Sequence, residues 1–222
     1  MLDTMVEYLK VGQSFVGFDV IKKIVDAAED KITKLWILTL FLTGGRTSEC
    51  LSLLRSNFDM KTSKYSIIVR NMDLSKKFVV VDQILSEHFM ATEKVWTKRD
   101  AFPILYQEPL TAMYEKMLWR LEPYEELFSS LNRKTAYYYT RIAGGKAGIK
   151  VSDHWFRGQR ASCLQEVYLF RKDECNTFFG WLKPAREMWS RYGSTTWRYL
   201  EIMMAKGLKE KEELDAYLDT RP

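Results

Sequence analysis

Metal ligands of the softer kind are scarce in this chain of 222 residues, which has two histidines and three cysteines. Cys50, Cys163 and Cys175 are odd in number and far apart, and no pair has metal-ligand spacing, so no zinc site is expected. Cys50 and Cys163 fall in apolar helical patterns as small core residues, which suits a reducing cytosol. Membrane-spanning apolar runs are missing, and the N-terminus lacks the basic-then-apolar order of a signal peptide. A Gly-x-x-x-x-Gly-Lys-[Ser/Thr] loop is also absent, which argues against an ATP-driven enzyme. Carboxylates do not cluster at a spacing that would suit a metal nuclease. Internal repeats and low-complexity segments are lacking too.

What remains is an ordinary globular composition, 46% hydrophobic and 28% charged. The length suits one sizeable domain with at most a small appendage. The net charge of +5 is mild, but it is unevenly spread. Residues 131–200 hold 13 Lys and Arg against 5 Asp and Glu, an excess of +8, leaving −3 for the rest. Such a segment suits a polyanion such as DNA, the bland alternative being a solvated basic face.

Several polar residues then stand in a telling order. Arg46 lies in Thr-Gly-Gly-Arg-Thr-Ser-Glu (43–49), and His154 and Arg157 lie in His-Trp-Phe-Arg (154–157). Trp181 follows in Phe-Gly-Trp (179–181), and Tyr192 in Ser-Arg-Tyr-Gly (190–193). Two guanidiniums can hold a phosphate, an imidazole can move a proton, and a phenol can attack. Arginine suits the first task because its planar fork donates two hydrogen bonds and keeps its charge. A phenol ionises near pH ~10, so Tyr192 needs the nearby positive charge and a base. His154 is the candidate base, or the group that orients Tyr192 or the phosphate. Trp181 can donate one N–H but cannot shuttle a proton, and a purely structural indole is the competing reading. Arg46 could instead pair with Glu49, an arrangement that would also position it.

At these residues the chain resembles the catalytic domain of the tyrosine recombinase (phage integrase) family, and within it the archaeal virus and plasmid integrases. The first motif, Thr-Gly-x-Arg-x-x-Glu-x-x-x-Leu, is matched from Thr43 to Leu53. The second, His-x-x-Arg, is matched at His154 and Arg157, with the small pair Ala161-Ser162 after it. The third usually reads Gly-His with a tyrosine about nine residues on. Here it is Gly180-Trp181, with Tyr192 at 11 positions and Pro184 in the intervening turn. The resemblance covers about residues 30–200. Departures are Gly158, where a second histidine is common, Arg160, where an apolar residue is common, and the long Trp181–Tyr192 spacing.

The resemblance implies an α+β fold, mostly helical, with a small antiparallel sheet on one side. It implies a 3′-phosphotyrosine intermediate with a free 5′-hydroxyl, formed without ATP, cofactor or metal. A hairpin lysine is the family's general acid; Lys76, Lys77, Lys94 and Lys98 are available. Lys76 is preferred for its order after Arg46, with Lys98 as the alternative. Tyr199, in Thr-Thr-Trp-Arg-Tyr (195–199), resembles another family pattern and rivals Tyr192 as nucleophile. The implied partner is double-stranded DNA at attachment sites in the host cytoplasm, with a homo-tetramer on DNA and a monomer possible when free; no membrane is involved. Only about 30–45 residues precede Arg46, too few for the family's N-terminal DNA clasp, so an excised catalytic domain or a minimal stand-alone enzyme is expected. The rival functions are type IB topoisomerase-like relaxation and a catalytically inactive DNA-binding protein.

The expected organisation is an N-terminal helical segment or linker (1–29), a catalytic domain (30–206) and a helical tail (207–222) that neighbours could exchange. Asp30 should cap a helix to about Thr43 with one apolar face, ended by Gly44-Gly45. Arg46 should open a helix to Leu54, whose free N–H groups would suit an anion. Strands are expected at 64–70, 78–81 and 100–105, with an insertion at 82–99. Further helices are expected at 109–121, at 133–147, from Ser152-Asp153 to about Phe170, and from Pro184 past Tyr192.

Overall fold

The computed structural model describes residues 14–72, 99–180 and 196–219. Lys76, Lys77, Lys94, Lys98, Trp181 and Tyr192 lie outside the described residues, as do the strand expected at 78–81 and the helix expected from Pro184.

Helix α1 (Phe18–Ala27) buries Ile21, Ile24 and Val25 in the same core as the elements that follow. Helix α2 (Lys31–Thr43) begins where expected: the Asp30 carboxylate accepts the Thr33 N–H at 2.7 Å. It ends at Gly44, which sits in the left-handed region (φ 57). The expected single apolar face is too modest, because Leu35 through Thr43 are all buried. α2 is the central helix, packed against its neighbours on every side, and a helix in that position is hydrophobic all round. Of its three buried threonines, Thr33 donates to the Asp30 carboxylate, and the other two donate back along the helix, Thr39 to the Leu35 carbonyl and Thr43 to the Thr39 carbonyl.

Helix α3 (Thr47–Leu51) stops short of the expected Leu54. The chain turns there because Asn57 caps the Leu54 N–H and the Leu53 carbonyl accepts from Leu127. A short 3-10 turn (Arg55–Asn57) leads into strand β1 (Phe58–Asp59), followed by β2 (Ser66–Met72) and β3 (Arg99–Leu105). The sheet is antiparallel in the order β1-β2-β3, with Val69 opposite Phe58 on one side and Phe102 on the other. Among the described residues β3 is an edge strand, a position that tolerates Pro103.

Helices α4 (Thr111–Leu118) and α5 (Arg133–Lys146) both pack on α2. Helix α6 (Asp153–Glu166) is capped by the Ser152 hydroxyl. It ends four residues before the expected Phe170, since Leu169 turns left-handed (φ 56) and the Phe170 N–H folds back onto the Leu164 carbonyl. Helix α7 (Lys172–Phe179), which the sequence reading did not foresee, opens with the Glu174 carboxylate accepting the Arg171 N–H and closes at left-handed Gly180.

The helical tail expected at 207–222 starts earlier, as part of one longer helix, α8 (Trp197–Asp219). α8 lies across β3, and its buried Glu201 carboxylate accepts hydrogen bonds from Ser63 and Ser66. Among the described residues, no helix is long and apolar enough to cross a membrane.

Two glycines at helical positions give opposite expectations. A Cβ on Gly207 would run into the Tyr168 backbone carbonyl, whereas one on Gly158 would meet open space. Gly207→Ala should therefore lower stability by about 1–3 kcal/mol through overpacking. Gly158→Ala should raise it by about 0.5–1 kcal/mol, the ordinary helix gain. Urea denaturation of both variants checks the contrast.

Candidate active site around Glu49

The first motif folds as a tight turn at the C-terminal end of α2. A Cβ on Gly44 would collide with the Phe179 ring, and one on Gly45 with Met72 and the Cys50 sulfur. Both positions therefore require glycine, Gly44 also for its positive φ. The turn delivers Arg46 to the N-cap of α3, where Glu49 reaches back and accepts the Arg46 backbone N–H at 2.9 Å. The other Glu49 oxygen accepts from the Arg46 guanidinium at 2.7 Å. The helix start expected to offer free N–H groups to an anion is thus partly occupied by the chain's own carboxylate.

Glu49 is 1% exposed, whereas the Arg46 side chain is 48% exposed. A buried carboxylate thus anchors an arginine whose far side faces solvent. Arg157, one helical turn after His154 on α6, comes to the same carboxylate, its Nη1 lying 3.8 Å from Glu49 Oε2. That nitrogen donates to the Gly44 carbonyl at 2.6 Å, and the guanidinium lies over the Phe179 ring at 4.8 Å. The structure therefore brings together the two arginines singled out from the sequence. Burial pulls the Arg157 pKa down and Glu49 pulls it up. An arginine stays charged in either event.

A third guanidinium, unforeseen from sequence, completes the cluster. Arg99, the first residue of β3, is buried, with Nη1 3.9 Å from Glu49 Oε2. Its Nη2 donates to the Thr43 carbonyl at 2.8 Å, and its plane covers the Phe102 ring at 3.8 Å. Burial pushes its pKa down to about 9, against the pull of Glu49. One carboxylate and the last carbonyls of α2, the negative end of that helix dipole, thus face three positive groups. The cluster carries a net charge of +2.

His154 is exposed near the N-terminus of α6. It lines a shallow cavity of about 450 Å³ with Thr47, Arg133, Lys134, Tyr137, Ser152 and Asp153. Asp153 is not the cap but a buried tie. It accepts from the Thr47 hydroxyl at 2.9 Å and the Thr140 hydroxyl at 2.8 Å. Thr140 in turn accepts from the Trp36 indole at 3.1 Å. This chain of hydrogen bonds fixes the starts of α3 and α6 side by side, and with them Arg46 and His154.

Arg160 is fully buried and pairs with Glu108, whose second oxygen accepts from the Tyr168 hydroxyl at 2.9 Å. Its charge is therefore answered inside the core by its own carboxylate, apart from Glu49.

Tyr199 stands near the start of α8, 43% exposed, and its hydroxyl donates to Glu174 at 3.1 Å. Partial burial, then the Glu174 hydrogen bond and charge, raise its pKa. A carboxylate beside a phenol opposes the phenolate that a nucleophile requires. Phe179 and Gly180 are the last described residues before Trp181, and the Phe179 ring touches Arg157 and the turn at Gly44. Among the described residues, no group of three or more His, Cys, Asp or Glu could hold a metal ion.

No family model and no curated protein matches the chain. Among solved structures, the crystal structure of XerA recombinase is similar over 94% of this chain and 64% of that one, at 21% identity and a TM-score of 0.50. The fold is that of a tyrosine recombinase catalytic domain. The mostly helical body with its three-stranded antiparallel sheet is the architecture expected from the motifs. The chain spans about two thirds of the XerA recombinase chain, 64% of its length.

Removing Glu49 should be costly, because it leaves three guanidiniums facing one another. Glu49→Ala is expected to lose about 3–5 kcal/mol, as when one partner of a buried ion pair is deleted. The urea midpoint measures this, and a loss under about 1 kcal/mol would be that of a surface pair instead.

Proposed function

We propose that this chain is the catalytic part of a site-specific DNA recombinase, or integrase, of the archaeal virus or plasmid type. It cuts and rejoins double-stranded DNA through a 3′-phosphotyrosine, without ATP, cofactor or metal. The observation that carries the reading is the meeting of Arg46 and Arg157 on the single buried carboxylate of Glu49. A solvent-facing arginine beside a rigid buried one is what gripping the two non-bridging oxygens of a phosphodiester requires.

In the proposed reaction Tyr192 attacks the phosphorus. Its proton passes to His154 or to solvent, the O–P bond forms, and the bond to the 5′-oxygen breaks. The 5′-hydroxyl leaves with a proton from Lys76, or from Lys98. Both described ends of segment 73–98 touch the arginine cluster, since Met72 and Arg99 are in mutual contact there. That supports a general acid from this segment. Trp181 contributes an N–H to a phosphate oxygen and packing. The reverse attack by a 5′-hydroxyl rejoins the strand, so bond energy is conserved. Four protomers on two duplexes would act together in the host cytoplasm, with α8 available for exchange between them. The exposed basic and aromatic residues of α5, Arg133, Lys134, Tyr137 and Arg141, suit contact with DNA beside His154.

A nicked suicide duplex carrying the attachment site tests the proposal. Wild type and Tyr199→Phe should form a covalent adduct at the DNA 3′ end, and Tyr192→Phe should form none. Arg46→Ala and Arg157→Ala should each slow adduct formation by roughly a hundredfold or more, as for loss of one donor to a developing charge. Loss of the adduct only in Tyr199→Phe would move the nucleophile to Tyr199. DNA binding with no adduct on any substrate would favour the inactive DNA-binding protein. Relaxation of supercoils without strand exchange would favour the topoisomerase.

A further inference from the structure

Arg99 is difficult to explain as a stabilising residue. It is buried, its Nε has no hydrogen-bond partner among the described residues, and its carboxylate neighbour stands 3.9 Å away, beyond hydrogen-bond reach. Two further guanidiniums, Arg157 and Arg160, repel it electrostatically. A desolvated cation with so little direct compensation costs stability, and an apolar side chain of similar size would cost less.

Its contacts nevertheless point one way. Nη2 holds the Thr43 carbonyl, Nη1 lies by Glu49 and Met72, and the plane stacks on Phe102. Arg157 holds the next carbonyl, that of Gly44, and its guanidinium lies over the Phe179 ring. The two buried arginines therefore grip successive carbonyls of the turn that carries Arg46. They share one carboxylate oxygen, Oε2, and Arg46 takes the other.

We propose that Arg99 is a positioning residue of the phosphate clamp. It fixes the Thr43–Gly44 turn and shares the Glu49 charge, so that Arg46 and Arg157 present uncompensated positive charge to an anion. The proposal rests on the reading of Arg46 and Arg157 as that clamp. Without Arg99, Glu49 is answered by the other two arginines alone, and the net charge of the cluster falls from +2 to +1. Arg99 itself is buried and does not touch the phosphate.

The test uses the full chain and two probes. The first is inorganic phosphate, read as the rise in Tm that it produces; a ligand that binds only the native state raises Tm by mass action. The second is the single-turnover rate of adduct formation on the nicked duplex at saturating enzyme. Arg99→Met should lose most of the phosphate-induced rise and slow adduct formation roughly tenfold, the effect of about one pKa unit of electrostatic interaction, with DNA affinity nearly unchanged. Arg99→Lys should fall between Met and wild type in both probes, because an ammonium lacks the planar fork that spans Thr43 and Glu49. Should Arg99→Met fail to fold, Arg99→Lys carries the comparison.

A phosphate-induced rise equal to wild type in Arg99→Met, or in Arg99→Lys where only that variant folds, overturns the proposal. So does a wild type whose Tm does not respond to phosphate. If the rise shrinks in the variant while wild type forms no adduct on any DNA, the clamp role stands and the strand-transfer reading fails.

Discussion

The carboxylate of Glu49 is the interaction on which the rest of the site depends. It is buried in a position that water does not reach, and the chain answers its charge three times over, with Arg46, Arg99 and Arg157. An isolated buried carboxylate would be expensive, and so would three clustered guanidiniums. Each makes the other tolerable, and the surplus of positive charge remains at the exposed end, on Arg46. The fold thus stores a charge imbalance at a surface point, which an incoming anion would relieve.

Holding that imbalance in place is the task of the scaffold. The central helix α2 ends at a glycine turn because only glycine fits beneath Phe179 and Met72. The carbonyls exposed by that ending become acceptors for Arg99 and Arg157. Asp153 ties the start of α6 to Thr47 and, through Thr140 and Trp36, to α2. Motif residues more than a hundred positions apart are thereby held by short hydrogen bonds between helix ends, and helix ends are where backbone groups lack internal partners. Strand β3, which begins with Arg99, adds the sheet to the same junction.

Much of this was legible in the sequence where the signal is local. Asp30 and Gly44 mark the ends of α2, and the β-branched run at 67–69 marks a strand. Arg46 and Arg157 stand out through the motif resemblance, and the structure brings both to one carboxylate. Other features were not. Arg99 sits in Lys98-Arg99-Asp100, a charged triplet that reads as surface, and only the packing of β3 against Glu49 and Phe102 gives it meaning. The stop of α6 at Glu166 was hidden because Val167, Tyr168 and Phe170 continue an apolar helical pattern, and a leucine gives no local sign of the left-handed conformation that Leu169 adopts. Helix α7 does carry a local signal, Asp173 and Glu174 in its first turn and Gly180 at its end.

Whether Arg46 and Arg157 act on phosphate charge can be measured by removing that charge from the DNA. A nicked duplex with a methylphosphonate at the cut position has no anionic non-bridging oxygen there. The rate penalty of Arg157→Ala is measured on this duplex and on the ordinary phosphodiester. If the cluster seated on Glu49 is a phosphate clamp, the penalty shrinks by roughly tenfold or more on the neutral linkage, since the interaction that the arginine supplied is no longer needed. An equal penalty on both duplexes would contradict the account, because it would mean that Arg157 supports the fold and not the charge of the reacting phosphate.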